Sequence, residues 1–392
     1  MSRAAAALAA PPVQTVKVPA SELKAAAAWA ARIVPLRPPL PILGGVVIGR
    51  DDDGHLTLSA FDYETSGRIV VDGADSTFAE PLLVHGRLFA EAAARMSGTV
   101  TLEADERTLT VRSGATKVAI RLMASGEYPS LPPTPPAVGR TEADDLAWMV
   151  QAVGICADRG ATVDQLGLHS MHLTAGDGRA NLWATDRYRV AHGIIPWSGA
   201  DLDVVIPADA LAQAVKGMTG VAHIGADEHR VSIAAGDRIV TILQTATPEW
   251  AANAARLWSP RGGAITAPRA ELADAVATAK IALDAATSPV LLTVTSEGLR
   301  VASQTNERAD ADSIVTADVD AGFDEGWTVA FNATYLVEIL AGIDAPAVRI
   351  EIDSNVQRSA VLPLEIRGVD ADGEPDPGLT YMLVPIRTGG AR

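Results

Sequence analysis

The sequence predicts an α+β protein made of three copies of one unit, each with two helices packed on antiparallel sheets. Three observations predict this. Helix-like stretches begin at Glu22-Leu23-Lys24, Leu146-Ala147-Trp148 and Glu271-Leu272-Ala273, and aligning Leu23, Leu146 and Leu272 gives spacings of 123 and 126 residues. A second helix-like set, Arg87-Leu88-Phe89, Ala210-Leu211-Ala212 and Tyr335-Leu336-Val337, gives 123 and 125 between Leu88, Leu211 and Leu336. Between these helices apolar and polar residues alternate, the two-residue period of a half-buried strand.

Taken in order, residues 1–13 are expected to be a disordered tail. Met1 to Ala10 is Ala-rich and lacks the Leu, Val or Phe run of a signal peptide. The first domain, 14–133, holds a helix from Glu22 to Val34 and, after the acidic turn Asp51-Asp52-Asp53, a strand from Gly54 to Ala60. A second helix runs from Arg87 to Met96, followed by strands Thr99–Leu102, Thr108–Val111 and Val118–Leu122. Leu131-Pro132-Pro133-Thr134-Pro135-Pro136 reads as a linker, because its prolines lack amide donors and fix φ. The second domain, 140–258, holds helices Leu146–Ala157 and Ala210–Met218, a strand carrying His169 and His172, and strands Val231–Ile233 and Ile239–Leu243. Ser259-Pro260-Arg261-Gly262-Gly263 is the second linker. The third domain, 262–388, holds helices Glu271–Ala282 and Tyr335–Ile343 and strands Leu291–Val294 and Val348–Ile352. Ser113-Gly114, Gly176-Asp177-Gly178 and Ala235-Gly236-Asp237 supply turns.

Composition narrows the function. Hydrophobic residues at 48% suffice for several cores, and no run of 18 apolar residues marks a membrane span. The single cysteine, Cys156, excludes an intramolecular disulfide and a Cys-based zinc site of the usual type, which fits a cytoplasmic protein. A net charge of −16 opposes tight phosphate binding. Of the five lysines (Lys17, Lys24, Lys117, Lys216 and Lys280), Lys24, Lys216 and Lys280 fall in helical segments. Solvated helix faces account for them; so does an acidic body that holds nucleic acid weakly.

Catalytic chemistry has no marker here. P-loop, GxGxxG, HExxH and GxSxG patterns are absent. His169 and His172, three apart on a strand, point to opposite faces and do not suit one metal. The Asp51–Asp53 turn is expected to be an ordinary acidic turn. No catalytic residue, metal or cofactor is assigned.

Six ordered motifs carry a family resemblance. Arg37-Pro38-Pro39-Leu40-Pro41-Ile42-Leu43-Gly44-Gly45 and Ala60-Phe61-Asp62-Tyr63-Glu64 come first, then Gly126-Glu127-Tyr128-Pro129-Ser130-Leu131-Pro132. Ala184-Thr185-Asp186-Arg187-Tyr188-Arg189-Val190-Ala191, Phe331-Asn332-Ala333-Thr334-Tyr335-Leu336 and Tyr381-Met382-Leu383-Val384-Pro385-Ile386-Arg387 complete the set. Together they resemble the bacterial DNA sliding clamp, the beta subunit of DNA polymerase III, in an actinobacterial-like form. The resemblance spans residues 14 to 387. It implies a non-enzymatic processivity factor: three clamp domains per chain, a head-to-tail homodimer closing into a six-domain ring, and duplex DNA held by topology rather than adhesion.

By resemblance, partners insert a peptide bearing Gln, then Leu or Met, then Leu or Phe into a pocket between the second and third domains. The partners implied are the replicative polymerase catalytic subunit, the clamp loader, translesion polymerases and repair proteins. Matching pocket positions are Thr185, Arg187, Tyr188, Arg189, Val190, Pro248, Ser359, Met382, Val384, Pro385, Ile386 and Arg387, with Thr185 and Arg189 expected to fix the peptide backbone or its Gln. Leu166 is a further candidate. DNA-facing positions are Arg37 and Arg159, to which the helix pattern adds Lys24, Arg32, Lys216 and Lys280. Ring closure is expected to set Lys117 and Val118 against Ile281 or Leu283 and the acidic Glu307, Asp310 and Asp312. The tail reads Val-Pro-Ile where the family commonly has Met-Pro-Met or Met-Pro-Val, and β-branched residues are stiffer than Met. Two alternatives stay open: a duplicate clamp with an altered, antibiotic-tolerant pocket, and an acidic interaction scaffold that does not encircle DNA.

Overall fold

The computed structural model describes residues 14–158, 160, 167–248, 250, 262–283, 288–303, 309–320, 322–352 and 363–386. The first repeat contains β1 (Gln14–Pro19), α1 (Ala20–Ile33), β2 (Gly45–Arg50), β3 (His55–Phe61), β4 (Thr65–Asp75), β5 (Leu82–His85), α2 (Gly86–Ala94), β6 (Thr99–Ala104), β7 (Thr108–Ser113) and β8 (Thr116–Arg121). The second contains β9 (Ala137–Glu142), α3 (Ala143–Gly154), β10 (Ser170–Gly176), β11 (Arg179–Thr185), β12 (Arg189–Pro196), β13 (Ser198–Gly199), β14 (Leu202–Pro207), α4 (Ala208–Val215), β15 (Val221–Ala226), β16 (Arg230–Ala235) and β17 (Arg238–Leu243). The third contains β18 (Gly263–Pro268), α5 (Arg269–Ile281), β19 (Pro289–Thr295), β20 (Gly298–Ser303), β21 (Asp312–Val315), β22 (Asp318–Val319), β23 (Thr328–Asn332), α6 (Ala333–Gly342), β24 (Ala347–Ile352), β25 (Leu364–Val369) and β26 (Pro375–Leu383).

The chain forms two compact units. One joins the residues up to Ala137 with Met218–Leu243; the other joins Val138–Gly217 with the residues from Gln244 onward. In the first unit, strands run in the order β15-β16-β17-β4-β3-β2-β5, and a smaller sheet runs β1-β6-β7-β8. Ile242 pairs with Thr65 where β17 meets β4, so strands of the first and second repeats share one sheet. Helix α1 packs on α2 and on this sheet. Leu23, Ala26, Ala27 and Ala30 are buried at the three-and-four spacing of a helical stripe, over Leu56, Leu58 and Ile69.

The second unit repeats the scheme. Its nine-stranded sheet runs β14-β10-β11-β12-β26-β25-β24-β18-β22, and a four-stranded sheet runs β21-β20-β19-β23. Antiparallel pairing of Val190 with Met382 joins β12 of the second repeat to β26 of the third. Helices α3 and α4 pack together, as do α5 and α6. Tyr381 on β26 is fully buried and its hydroxyl donates to the Ala152 carbonyl at 2.9 Å, tying the sheet to α3 and satisfying a phenol that would otherwise be stranded in the core.

The repeat holds at the level of single turns. Asp105 Oδ1 accepts from the amides of Arg107 and Thr108, and Asp227 Oδ1 from those of His229 and Arg230. Asp62 and Asp186 do the same for Glu64 and Thr65, and for Tyr188 and Arg189. Tyr63 and Arg187 in these latter turns share a φ of +79°, a left-handed conformation that local Asx hydrogen bonding sustains.

Several boundaries differ from the sequence expectation. α1, α3 and α5 start two or three residues earlier, because each follows directly from a strand and is entered through Pro19, Glu142 or Pro268 without a capping side chain. α2, α3 and α4 stop before Met96, Cys156 and Met218, whose burial prolongs the apolar pattern past the helix end. His169 precedes β10 rather than lying on it, and Gly263 opens β18 rather than ending a linker. The linker at 131–136 is free of helix and strand, as expected, although Ser232 Oγ donates to the Pro135 carbonyl at 3.1 Å. Among the described residues no helix is long and apolar enough to cross a membrane.

Candidate functional site

The candidate site is built in the second unit around the turn from β11 to β12. Thr185 Oγ1 donates to the Arg189 carbonyl at 2.8 Å and accepts the Arg187 amide at 3.1 Å. The Asp186 carboxylate accepts the Tyr188 and Arg189 amides through Oδ1, each at 3.0 Å, and Arg189 Nε through Oδ2 at 2.9 Å. These bonds turn Arg189 inward, leaving it 6% exposed, and push Arg187 and Tyr188 outward; Tyr188 is 55% exposed.

The opposite wall comes from the third repeat. Asn332 caps α6, its side-chain oxygen accepting the Thr334 and Tyr335 amides. This fixes Tyr335, whose ring stacks near Tyr188 at 6.2 Å between centroids and lies 4.4 Å below the Arg189 guanidinium carbon. Burial, and next Asp186, raise the Tyr335 phenol above its ordinary range. One turn along α6, Glu338 Oε2 sits 2.6 Å from Arg189 Nη1. The segment after β26 is tied to both walls: the Val384 amide donates to the Tyr188 carbonyl at 2.9 Å and the Ile386 amide to the Ala330 carbonyl at 2.8 Å. Val190, Tyr335, Val384 and Ile386 stay half-buried, and Met382 and Pro385 are buried. The result is a partly exposed apolar strip beside a buried Asp186–Arg189 pair and the half-exposed Glu338, a surface on which an extended apolar peptide can lie.

The matches to known families decide the identity. The model described as "DNA polymerase III beta subunit, N-terminal domain" matches residues 16–132, and that described as "DNA polymerase III beta subunit, C-terminal domain" matches residues 262–368, together more than half of the chain. The chain belongs to the DNA polymerase III beta subunit family, the bacterial sliding clamps. It is 29% identical to the beta sliding clamp of Streptomyces coelicolor over 391 residues, covering 96% of this chain and 100% of that relative. It is 26% identical to the beta sliding clamp homolog GriR of Streptomyces muensis over 370 residues, covering 92% of this chain and 95% of the relative. The Bacillus subtilis sliding clamp superposes with a TM-score of 0.83 at 18% identity, covering 96% of this chain and all of that one. The Pseudomonas aeruginosa clamp bound to griselimycin gives 0.82 at 19%, with the same coverage. These two show the same fold.

Within the clamp fold, the sequence-expected residues fall as follows. The structure gathers Thr185, Arg187, Tyr188, Arg189, Val190, Met382, Val384, Pro385 and Ile386 around one turn. Thr185 and Arg189, expected to reach a peptide, are engaged inside the fold. Pro248 sits against Gly167, where no side chain would fit, and Trp250 Nε1 donates to the Gly167 carbonyl at 3.2 Å. Leu166, Ser359 and Arg387 lie outside the described residues, as do Arg159 and Glu307. Tyr335 and Glu338 were missed. Tyr335 stands in the recognised Phe331–Leu336 motif, whereas nothing local in the sequence marks Glu338.

Lys24, Arg32, Arg37, Lys216 and Lys280 are all exposed. Arg32 and Lys280 occupy last turns of α1 and α5 and Lys216 follows α4, whereas Glu22, Asp209 and Glu271 occupy first turns. Arg32, Lys216 and Lys280 thus complement the helix dipoles, whereas Lys24 lies near the start of α1 and Arg269 opens α5. Arg37 lies four residues past the end of α1. Lys117 and half-buried Val118 lie on β8, an edge strand, and Asp312 and Ile314 on β21, another edge. Ile281 is 84% exposed, Leu283 is half-buried and Asp310 is exposed. Asp312 forms an exposed forked pair with Arg300, which holds its carboxyl below the ordinary range. Asp51, Asp53 and His55 lie close enough to share an ion, but Asp51 already binds the His55 amide and ring.

Proposed function

We propose that this chain is a DNA polymerase processivity factor: a homodimeric clamp of three domains per chain (14–133, 140–258 and 262–388) that closes around duplex DNA and tethers polymerases through the strip beside Tyr188. The observation that carries it is the apolar strip with its tail segment, hydrogen-bonded to walls from two different repeats, which we read as a peptide groove. Partners in this reading are the polymerase catalytic subunit, the clamp loader, translesion polymerases and repair proteins, and the chain acts in the cytoplasm without catalytic residues of its own. Ring closure sets the β8 edge of one copy, with Lys117, Val118 and Arg121, against the β21 edge of the next, with Asp310, Asp312 and Ile314. The opposite charges set register, and Val118, Ile281 and Ile314 supply the apolar area. The basic ends of α1, α4 and α5 centre DNA, and their sparsity leaves it free to slide. A fluorescently labelled peptide bearing Gln, Leu and Phe should bind the full chain saturably and lose affinity on Tyr188→Ala; no saturable binding would refute the groove.

A second reading has its own support: the Val384-Pro385-Ile386 tail and the likeness to the clamp homolog GriR favour a duplicate clamp with an altered pocket. Titration with griselimycin, which the Pseudomonas clamp binds, separates the two. Normal peptide affinity with weakened griselimycin binding supports the duplicate.

A further inference from the structure

We infer that Glu338 is a positioning residue for peptide capture: from α6 it grips the buried Arg189 across the groove and sets the spacing of the two walls. The inference rests on the groove reading above. Arg189 belongs to the β11–β12 wall and is held there by Asp186 at 2.9 Å, while Glu338 belongs to the α6 wall and approaches the same guanidinium at 2.6 Å. Tyr335, on the exposed side of α6, lies against that guanidinium as well. One cation therefore bridges the turn that presents Tyr188 and the helix that presents Tyr335. The two carboxylates differ in surroundings. The Asp186 side chain is 9% exposed and saturated by its own turn, so it fixes Arg189 locally; the Glu338 side chain is 44% exposed and is the member of the pair whose removal the fold tolerates.

On its other side Glu338 borders a cleft of about 320 Å³ between α3 and α6, lined with Trp148, Gln151, Ala152, Ile155, Ala341 and Gly342. Open space there means that packing does not hold Glu338 in place; Arg189 does. A freed α6 wall has room to shift toward α3, and each peptide must then draw it back, a cost that the Glu338–Arg189 contact removes beforehand.

The test compares the full chain with Glu338→Ala and Glu338→Gln by anisotropy titration with the labelled Gln-Leu-Phe peptide, alongside thermal midpoints. Losing this close charge pair is expected to weaken binding by about tenfold in Glu338→Ala. Glu338→Gln keeps an acceptor for Arg189 and should recover most of it, at a midpoint close to that of Glu338→Ala. Equal affinity of wild type and Glu338→Ala overturns the inference, as does a loss that follows the thermal midpoint without recovery in Glu338→Gln. A wild type that does not bind the peptide overturns the groove reading itself, before any variant is compared.

Discussion

Replacing Arg189 with Leu tests whether the Asp186–Arg189–Glu338 cluster holds the second unit together. The substitution removes three interactions: the 2.9 Å bond to Asp186, the 2.6 Å pair with Glu338 and the contact with the Tyr335 face. Breaking a buried ion pair by deleting one partner costs about 3–5 kcal/mol, because the other charge is left uncompensated. Here the upper end is not reached: the Asp186 carboxylate keeps two backbone donors, and Glu338 is exposed enough to hydrate. A loss of about 3 kcal/mol follows, which for a unit of this size lowers the melting temperature by roughly 6–12 °C. Scanning calorimetry should resolve it as a shift of one transition, with the unit containing α1 and α2 unaffected. Arg189→Lys should recover only part, since an ammonium cannot fork between two carboxylates. A shift of under about 2 °C for Arg189→Leu, or an equal shift of both units, would refute the reasoning.

Other expectations follow from separate parts of the structure. Ile281→Asp places a carboxylate where an 84% exposed isoleucine is proposed to be buried by a second copy, and light scattering should fall from twice the 40.7 kDa chain mass to once; an unchanged mass contradicts the interface. Tyr381→Phe strands the Ala152 carbonyl in the core and should cost about 1–2 kcal/mol in urea denaturation. His192, stacked on Trp183, is pushed down to about 4, by burial first and by Arg367 second. Its folded form therefore binds its proton later than the unfolded chain, and stability present above pH of about 6.5 declines as pH falls toward 4. His192→Gln should flatten that part of the stability–pH profile.

Much of the architecture was readable from residue spacing, and particular residues show why. The two leucine landmarks fix the period because each helix must bury one apolar stripe, and the six α-helices among the described residues fall where the landmarks put them. Turn chemistry was equally readable in principle: Ala104-Asp105-Glu106-Arg107 and Ala226-Asp227-Glu228-His229 fold into the same Asx turn. Strands β4 and β26 were not legible. β4 carries Gly67, Asp72 and Gly73 and β26 begins Pro375-Asp376-Pro377-Gly378, so neither shows clean alternation, and each is held between a strand of its own repeat and one across the repeat boundary. The site divides along the same line. Arg187, Tyr188, Val190, Val384 and Ile386 lie in recognisable motifs, but the bridge from Arg189 to the second wall depends on Glu338, which is 149 positions away in the chain. Sequence pattern reports which side a residue takes within its own element; it does not report a partner brought in by folding.

Retention on DNA of defined topology is the most direct test of the central claim that closure, not adhesion, holds this protein on its template. Loaded onto a nicked circular plasmid, the protein should stay bound at salt that strips ordinary phosphate contacts, and leave when one restriction cut makes the circle linear. Retention that is equal on the cut and uncut DNA would contradict the account.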